Sequence, residues 1–79
     1  MRLDKFLKNS RIIKRRTVAK EACDGGRVCI NGTTAKAGTE VKIGDIIEIR
    51  FGENLLKAEV TAILEHVRKE DCEKMYKML

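Results

Sequence analysis

The sequence predicts an α+β fold in which two to three short helices pack on a small bent antiparallel sheet of four to five strands, with a short C-terminal helix. Three observations predict it. Apolar residues recur at helical spacing in the first 24 residues, they then alternate with polar residues as in strands, and turn signals separate the alternating segments. Because 79 residues can bury only a small core, we expect one domain that spans residues 1–79.

The first helix is predicted over residues 2–9. Leu3, Phe6 and Leu7 fall on one face at spacings of three and four, and the basic residues fall on the other. Asp4 lies on the polar face in the first turn, where the helix dipole favours a negative charge. The segment is therefore amphipathic, with one face for the core and one for solvent or a ligand.

A second helix is predicted over residues 17–24, TVAKEACD. Thr17 is the expected N-cap, because its side-chain oxygen can accept one of the unpaired N–H groups of the first turn. Gly25-Gly26 supply a left-handed residue that ends the helix at no steric cost. The apolar stripe of this helix consists of Val18, Ala19, Ala22 and Cys23.

Short strands are predicted after the two glycines. The segments RVCI and TTAK flank Asn31-Gly32, the strongest two-residue signal for a hairpin. Gly44-Asp45 marks another turn. The segment IIEIRF that follows it alternates in the manner of a half-buried strand, and the segment ENLLKAEVTAIL continues the alternation. Together these segments account for an antiparallel sheet of four to five strands.

The C-terminal segment RKEDCEKMYKML predicts a short helix that packs an apolar stripe against the body of the protein. The stripe follows the helical spacings of three, four and seven. It consists of Cys72, Met75, Tyr76 and Leu79.

Positive charge is concentrated in one third of the chain. The protein carries 17 Lys and Arg against 12 Asp and Glu, a net charge of +5. Residues 1–27 hold nine of the basic and three of the acidic residues, so the remainder is close to neutral. A surface built for solubility intersperses both signs, whereas a one-sided distribution is typical of a surface that binds a polyanion.

The segment RIIKRRTVAK, residues 11–20, concentrates this charge between the helices and on the second of them. We expect Ile12 and Ile13 to anchor it in the core. A solvated helix face explains most charge runs. Here, however, Arg15 and Arg16 directly precede the second helix, whose N-terminal N–H groups themselves attract phosphate. With three aromatic residues in the chain, the pattern favours recognition of phosphates and shape over stacking on bases.

Other functional classes find little support. The three cysteines form no CxxC pair and His66 is the single histidine, so neither disulfides nor a zinc site is expected. No catalytic Ser/His/Asp or Cys/His grouping and no phosphate-binding glycine loop is visible. No apolar run approaches the ~20 residues that span a bilayer. We therefore expect a cytoplasmic protein that needs no cofactor, does not enter membranes and is not an enzyme.

Three segments in order, RLDKFLK, RRTVAKEACDGGRVCINGTTAK and VKIGDIIEIRF, resemble the RNA-binding module named after ribosomal protein S4 of the small subunit. The resemblance covers residues 1 to about 51 and implies an α-L motif, the S4-like arrangement of helices over a small bent sheet. The start of the chain, IRFG at 49–52 and the ending KMYKML are most similar to RqcP, a family of ribosome-associated quality control factors related to heat-shock protein fifteen.

The resemblance to RqcP implies a factor that binds large ribosomal subunits obstructed by peptidyl-tRNA. Its partners would be ribosomal RNA and the tRNA in the peptidyl site, and it would cooperate with RqcH in adding alanine tails to stalled chains. We expect a monomer that stabilises one tRNA position without making or breaking a bond. A heat-shock-type recycling factor for aborted large subunits that carry peptidyl-tRNA is the alternative from the same class.

The predicted RNA-binding residues come from two sources. Positions that matter in the family correspond to Arg2, Asp4 and Arg16, although an acid in the first turn of a helix needs no further role. The charge pattern adds neighbouring phosphate contacts at Lys5, Lys8, Arg11, Lys14, Arg15 and Lys20. A small regulator whose acidic protein partner reads the same basic face is the alternative from another class.

Overall fold

A computed structural model describes residues 1–79. The elements in chain order are α1 (Leu3–Asn9), α2 (Arg16–Asp24), β1 (Val28–Ile30), β2 (Thr33–Thr34), β3 (Ile46–Phe51), β4 (Asn54–Val60), a 3-10 helix (Lys69–Met75) and β5 (Tyr76–Met78). The strands form one antiparallel sheet in the order β2-β1-β3-β4-β5. The predicted α+β fold, with short helices on a five-stranded antiparallel sheet, is confirmed.

The Asn31-Gly32 hairpin forms as predicted. Both residues have positive φ, 52° and 83°, as the two-residue turn between β1 and β2 requires. The Asn31 amide also fastens the turn to the next strand. Its Nδ2 donates to Asp45 Oδ1 at 3.1 Å, and its Oδ1 accepts the Ile46 N–H at 2.9 Å. The first hairpin is thereby held at the start of β3.

The core lies between the helices and one face of the sheet. Leu3, Phe6 and Leu7 of α1 are fully buried, which confirms the stripe predicted for this helix. Alternation along β3 brings Ile47 and Ile49 to the same interior. Other buried members of this core are Ala19, Ala22, Cys23, Val28, Val60 and Met75.

The start of α2 differs from the prediction. Arg15 is the N-cap residue in an extended conformation and makes no side-chain capping bond, so the cap predicted at Thr17 is wrong. Thr17 is the second residue of α2, so it lies inside the first helical turn and after the N-cap position. Val18 is 45% exposed at the margin of the stripe, because Ala19 and Ala22 provide the buried face.

Neither α-helix, nor the 3-10 helix, has the length and apolar character that a membrane crossing requires.

The loop between the two helices is fastened to the core. The hydroxyl of the fully buried Ser10 donates to the Leu7 carbonyl oxygen at 3.2 Å, and the Ile13 N–H donates to the same oxygen at 3.1 Å. The Ile13 side chain is buried and that of Ile12 packs half-buried beside it, as predicted. Arg11 adopts a left-handed φ of 61°, which is costly for a residue other than glycine.

The first turn of α1 is fastened to a loop that precedes β3. The Leu3 N–H donates to the Thr39 carbonyl oxygen at 2.8 Å, and the Asp4 N–H donates to that of Ala37 at 3.2 Å. These bonds satisfy two N–H groups that have no partner inside the helix. The N-terminal end of α1 is therefore held in place from outside the helix.

The C-terminal segment is partly a strand, which corrects the prediction of a helix to the end of the chain. The 3-10 helix ends at Met75, and β5 then pairs with β4. Cys72 and Met75 are buried as the helical spacing predicted, but Leu79 is 58% exposed. The backbone from Tyr76 onward bonds to the open edge of β4, because this edge offers unpaired N–H and C=O groups.

Two of the three cysteine thiols are packed in the interior of the protein. Cys23 and Cys72 are buried and Cys29 is half-buried, and all three are free. Burial raises the pKa of Cys23 to about 11, and the negative charges of Asp4 and Asp24 contribute to this shift. The Cys23 thiol therefore stays protonated, and hence unreactive, at neutral pH.

Candidate nucleic-acid interface

The predicted RNA-binding side chains fall into two groups at opposite ends of α1. The first group, here called the arginine cluster, consists of Arg2, Asp4, Arg16, Thr17 and Lys20. The second group, here called the lysine cleft, consists of Lys8, Asn9, Arg11, Lys14, Glu65, His66 and Val67. Arg15 is exposed and belongs to neither group, and Lys5 is bonded to Glu65 beside the cleft.

Asp4 joins the two arginines of the arginine cluster. Arg2 Nε donates to Asp4 Oδ1 at 3.3 Å, and Arg16 Nε donates to Oδ2 at 3.2 Å. The Lys5 N–H donates to Oδ1 at 2.8 Å. The Asp4 carboxylate therefore links Arg2, the N-cap residue of α1, to Arg16, the first residue of α2.

The carboxylate of Asp4 is buried, which corrects the prediction of an acid on the polar face of the helix. Its side chain is 3% exposed. Burial alone would raise the pKa of Asp4, but the hydrogen bonds from Arg16 and the Lys5 N–H, together with the charges of Arg16 and Arg2, outweigh it. The pKa therefore lies below its ordinary value of 3.8, and Asp4 is ionised at neutral pH.

The guanidinium groups of the arginine cluster remain available to a ligand. The side chains of Arg2 and Arg16 are 54% and 50% exposed. Their bonds to Asp4 use Nε alone, so the terminal Nη groups donate to no protein acceptor. Lys20 lies exposed one helical turn after Arg16. Two guanidinium groups held side by side with an ammonium nearby match the oxygens of a phosphate.

The lysine cleft lies between the C-terminal end of α1, the loop after it and residues 65–67, and has a volume of about 600 Å³. Its far wall is fixed, because Asn9 Nδ2 donates to the carbonyl oxygens of Leu64 and Glu65 at 3.1 and 3.4 Å. Three exposed cations that form no ion pair with the protein line it: Lys8, Arg11 and Lys14.

The half of this cleft that comes from the C-terminal part of the chain was not predicted from the sequence. Glu65 and His66 are more than 50 positions from α1, and no local pattern connects them to it. A signal was nevertheless present. Leu64 and Val67, which flank them, are apolar and pack half-buried against the core. Two apolar residues around a polar pair indicate a segment that packs on the body of the protein and presents the pair at its surface.

Lys5 has an acceptor within the protein. Its Nζ donates to Glu65, and the side chain is 37% exposed. This hydrogen bond, with the positive charge of Lys5, holds the pKa of Glu65 below its ordinary value. Contact of Lys5 with an RNA phosphate stays a prediction, and it would require Lys5 to leave or share Glu65.

The S4 domain family model matches residues 1–47, which contain both α-helices, the first hairpin and the whole arginine cluster. The chain belongs to the S4 domain family. The resemblance predicted from the three sequence segments is confirmed, and the helix pair described above is part of the matched S4 domain.

Curated relatives extend the similarity beyond the S4 domain to the C-terminal segment. An RQC P-site tRNA stabilizing factor of Halalkalibacterium halodurans is 58% identical over 99% of this chain and 89% of its own length. A factor of the same name from Bacillus subtilis is 52% identical over 100% of this chain and 92% of its own length. A heat shock protein 15 homolog of Aeromonas salmonicida is 34% identical over 82% of this chain, but over 49% of its own length. The predicted resemblance to quality control factors is confirmed.

Solved structures confirm the S4-like fold. The structure of heat shock protein 15 of Vibrio cholerae, which is described as trimeric, aligns with a TM-score of 0.91 at 31% identity and covers 100% of this chain and 81% of that one. The solution structure of the protein HP1423 aligns with a TM-score of 0.83 at 33% identity over 100% and 96% of the two chains.

Replacing Asp4 by Asn should weaken binding of this S4 domain to ribosomal RNA, even though the net positive charge rises by one. Loss of the shared carboxylate releases Arg2 and Arg16 from a fixed orientation, and we expect about a tenfold rise in dissociation constant, equivalent to about 1.4 kcal/mol. Fluorescence anisotropy with labelled RNA measures it. Asp24→Asn, at an exposed acid with the same change in charge, is the matched control. Tighter binding by Asp4→Asn would contradict the orienting role.

The ion pairs of Asp4 should make stability depend on pH in acid. Because the pKa of Asp4 is lower in the folded protein than in the unfolded chain, its contribution is complete above pH ~4 and is lost as pH falls through the folded pKa. We expect wild type to exceed Asp4→Asn by about 1–2 kcal/mol in unfolding free energy at pH 7, and this excess to shrink below pH 4. Urea unfolding at pH 7 and at pH 2 measures the excess, and an excess as large at pH 2 as at pH 7 would contradict the assignment.

Proposed function

We propose that the protein is an RNA-binding factor of ribosome-associated quality control. It binds large ribosomal subunits obstructed by peptidyl-tRNA and contacts ribosomal RNA and the tRNA in the peptidyl site. The observation that carries the proposal is the arginine cluster, in which two half-exposed guanidinium groups are preset within an S4 domain. Its support comes from relatives at 52–58% identity over nearly the full chain that are named RQC P-site tRNA stabilizing factors.

Binding in this proposal is recognition of a folded RNA backbone. Arg2 and Arg16 bind phosphate oxygens through their free Nη groups, while Lys20 and Arg15 contact neighbouring phosphates. Such contacts fix orientation and carry no base sequence. They suit a factor that holds one tRNA position on a ribosomal surface of fixed shape. The role needs no reaction step, so we propose a non-enzymatic factor.

The remaining parts of the proposal concern the domain organisation, location, oligomeric state and cellular role of the protein. We propose that the 79 residues act as one domain in the cytoplasm, as a monomer, and that the factor supports C-terminal alanine tailing of stalled chains in cooperation with RqcH. Light scattering on the purified protein in solution distinguishes the mass of one chain from that of a trimer such as the one described for the Vibrio relative.

Recycling of aborted large subunits is the second candidate function. The observation that favours it is the TM-score of 0.91 to heat shock protein 15. The homolog from Aeromonas, however, is only 34% identical and about half of its own length has no counterpart here. Identity to the quality control factors is far higher, so tailing is the better-supported role.

Arg16→Gln should lower the affinity for purified large subunits that carry peptidyl-tRNA by at least tenfold, because it removes one of the two guanidinium groups that meet phosphate. Co-sedimentation with a titration of subunits measures it. Arg50→Gln, at an exposed arginine of β3 in the sheet, makes the same change in charge and should leave the affinity within about twofold. Equal losses in the two variants would show that net charge, and not the arginine cluster, governs binding.

Cells that lack the protein should lose most alanine tails on nascent chains stalled on large subunits. Expression of the wild-type chain should restore the tails, and Arg16→Gln should not. Mass spectrometry of the C termini of a stalled reporter measures them. Undiminished tails, together with accumulation of large subunits blocked by peptidyl-tRNA, would reject the tailing role and support recycling instead.

A further inference from the structure

The lysine cleft holds positive charge that the protein does not neutralise. Lys8, Arg11 and Lys14 converge on one cleft and none of them meets an intramolecular carboxylate within ion-pair distance. The single carboxylate in the cleft, that of Glu65, is engaged by Lys5 instead. Like charges that converge without a counter-charge repel one another, so an anion that joins them is stabilised by all three.

The cleft is also built in advance of any ligand. Asn9 holds the backbone of Leu64 and Glu65 by two hydrogen bonds, and Lys5 holds the Glu65 side chain. Val67 packs half-buried against the core behind the wall. On the opposite side, Arg11 is kept in a left-handed conformation. Groups that are positioned before binding lose less entropy when a ligand arrives.

The chemistry of the walls favours an RNA backbone over a peptide. A volume of about 600 Å³ is in the range of sites that hold a ligand of nucleotide size. The cations suit phosphate oxygens, while the amide of Asn9 and the imidazole of His66 can bond to a ribose hydroxyl. Peptides without negative charge are recognised at an open sheet edge or in an apolar groove. This cleft has neither, since Val67 is its one apolar residue.

We propose that the lysine cleft is a second RNA phosphate site, in which His66 and the 64–67 segment complete a surface that the helix pair alone does not form. It binds phosphates other than those held by the arginine cluster, because the seven residues of α1 separate the two sites by about 10 Å. This inference rests on the proposed function, and it assigns to the C-terminal part of the chain a share in RNA binding.

The salt dependence of binding tests the inference. For wild type and purified large subunits that carry peptidyl-tRNA, four to six phosphate contacts give a slope of log affinity against log salt of about −3 to −5. The double variant Lys8→Gln/Lys14→Gln should reduce the magnitude of this slope by about 1.4–1.8, since each lost contact is worth about 0.7–0.9. The control Lys42→Gln/Lys77→Gln, at two exposed lysines of the sheet region, should leave the slope unchanged.

Two single variants should change the affinity for large subunits in opposite directions. Glu65→Gln removes the one carboxylate of the cleft and frees Lys5, while the bonds from Asn9 still hold the backbone of the wall, so it should tighten binding severalfold. His66→Ala should weaken binding severalfold, because it removes a donor from the wall. Circular dichroism and thermal melting of each variant test whether the fold is retained. We expect it to be, because the side chains of Lys8, Lys14, Glu65 and His66 are all exposed.

The outcomes separate the cleft from the proposed function. If the double variant keeps wild-type affinity and slope while Arg16→Gln loses binding, the cleft proposal is overturned and the proposed function stands. If the double variant keeps its affinity for subunits but loses an acidic protein partner, the cleft is a protein-docking site and the proposal is again overturned. If the wild-type chain does not bind large subunits, both the proposed function and this inference fall.

Discussion

The carboxylate of Asp4, shared between Arg2 and Arg16, is the interaction on which the candidate interface depends. Two guanidinium groups side by side repel each other, and a single buried anion between them converts this repulsion into a fixed arrangement. The carboxylate stays ionised because its partners outweigh the penalty of burial. Through this one group, the N-terminal end of α1 and the start of α2 present their cations in one place.

The rest of the fold serves to keep that arrangement rigid. Bonds to Thr39 and Ala37 hold the first turn of α1, and the buried side chain of Ile13 holds the loop that leads to α2. The sheet supplies the interior against which both helices pack. A protein of this size has little core to spare, and both helices and the loop between them contribute residues to it. Such preorganisation suits a binder of folded RNA, because neither partner has to change shape.

Local patterns predicted the elements whose formation depends on local chemistry. The Asn31-Gly32 hairpin follows from two residues that tolerate positive φ, and the α1 stripe follows from helical spacing. The burial of Asp4 and the placement of His66 could not be predicted, because both depend on partners distant in the chain. The helix predicted to the end of the chain was wrong for a related reason. The residues from Tyr76 onward have helical spacing, but they pair with the open edge of β4, and no local pattern in the sequence indicates that this edge is nearby.

The central claim is that the arginine cluster, preset by Asp4, meets RNA phosphates on the large subunit. An electron cryo-microscopy map of the protein bound to a large subunit that carries peptidyl-tRNA tests it most directly. We expect the Nη groups of Arg2 and Arg16 to lie within hydrogen-bond distance of phosphate oxygens while their Nε groups remain bonded to Asp4. A map in which the helix pair faces solvent, or in which RNA contacts only the sheet, would contradict it.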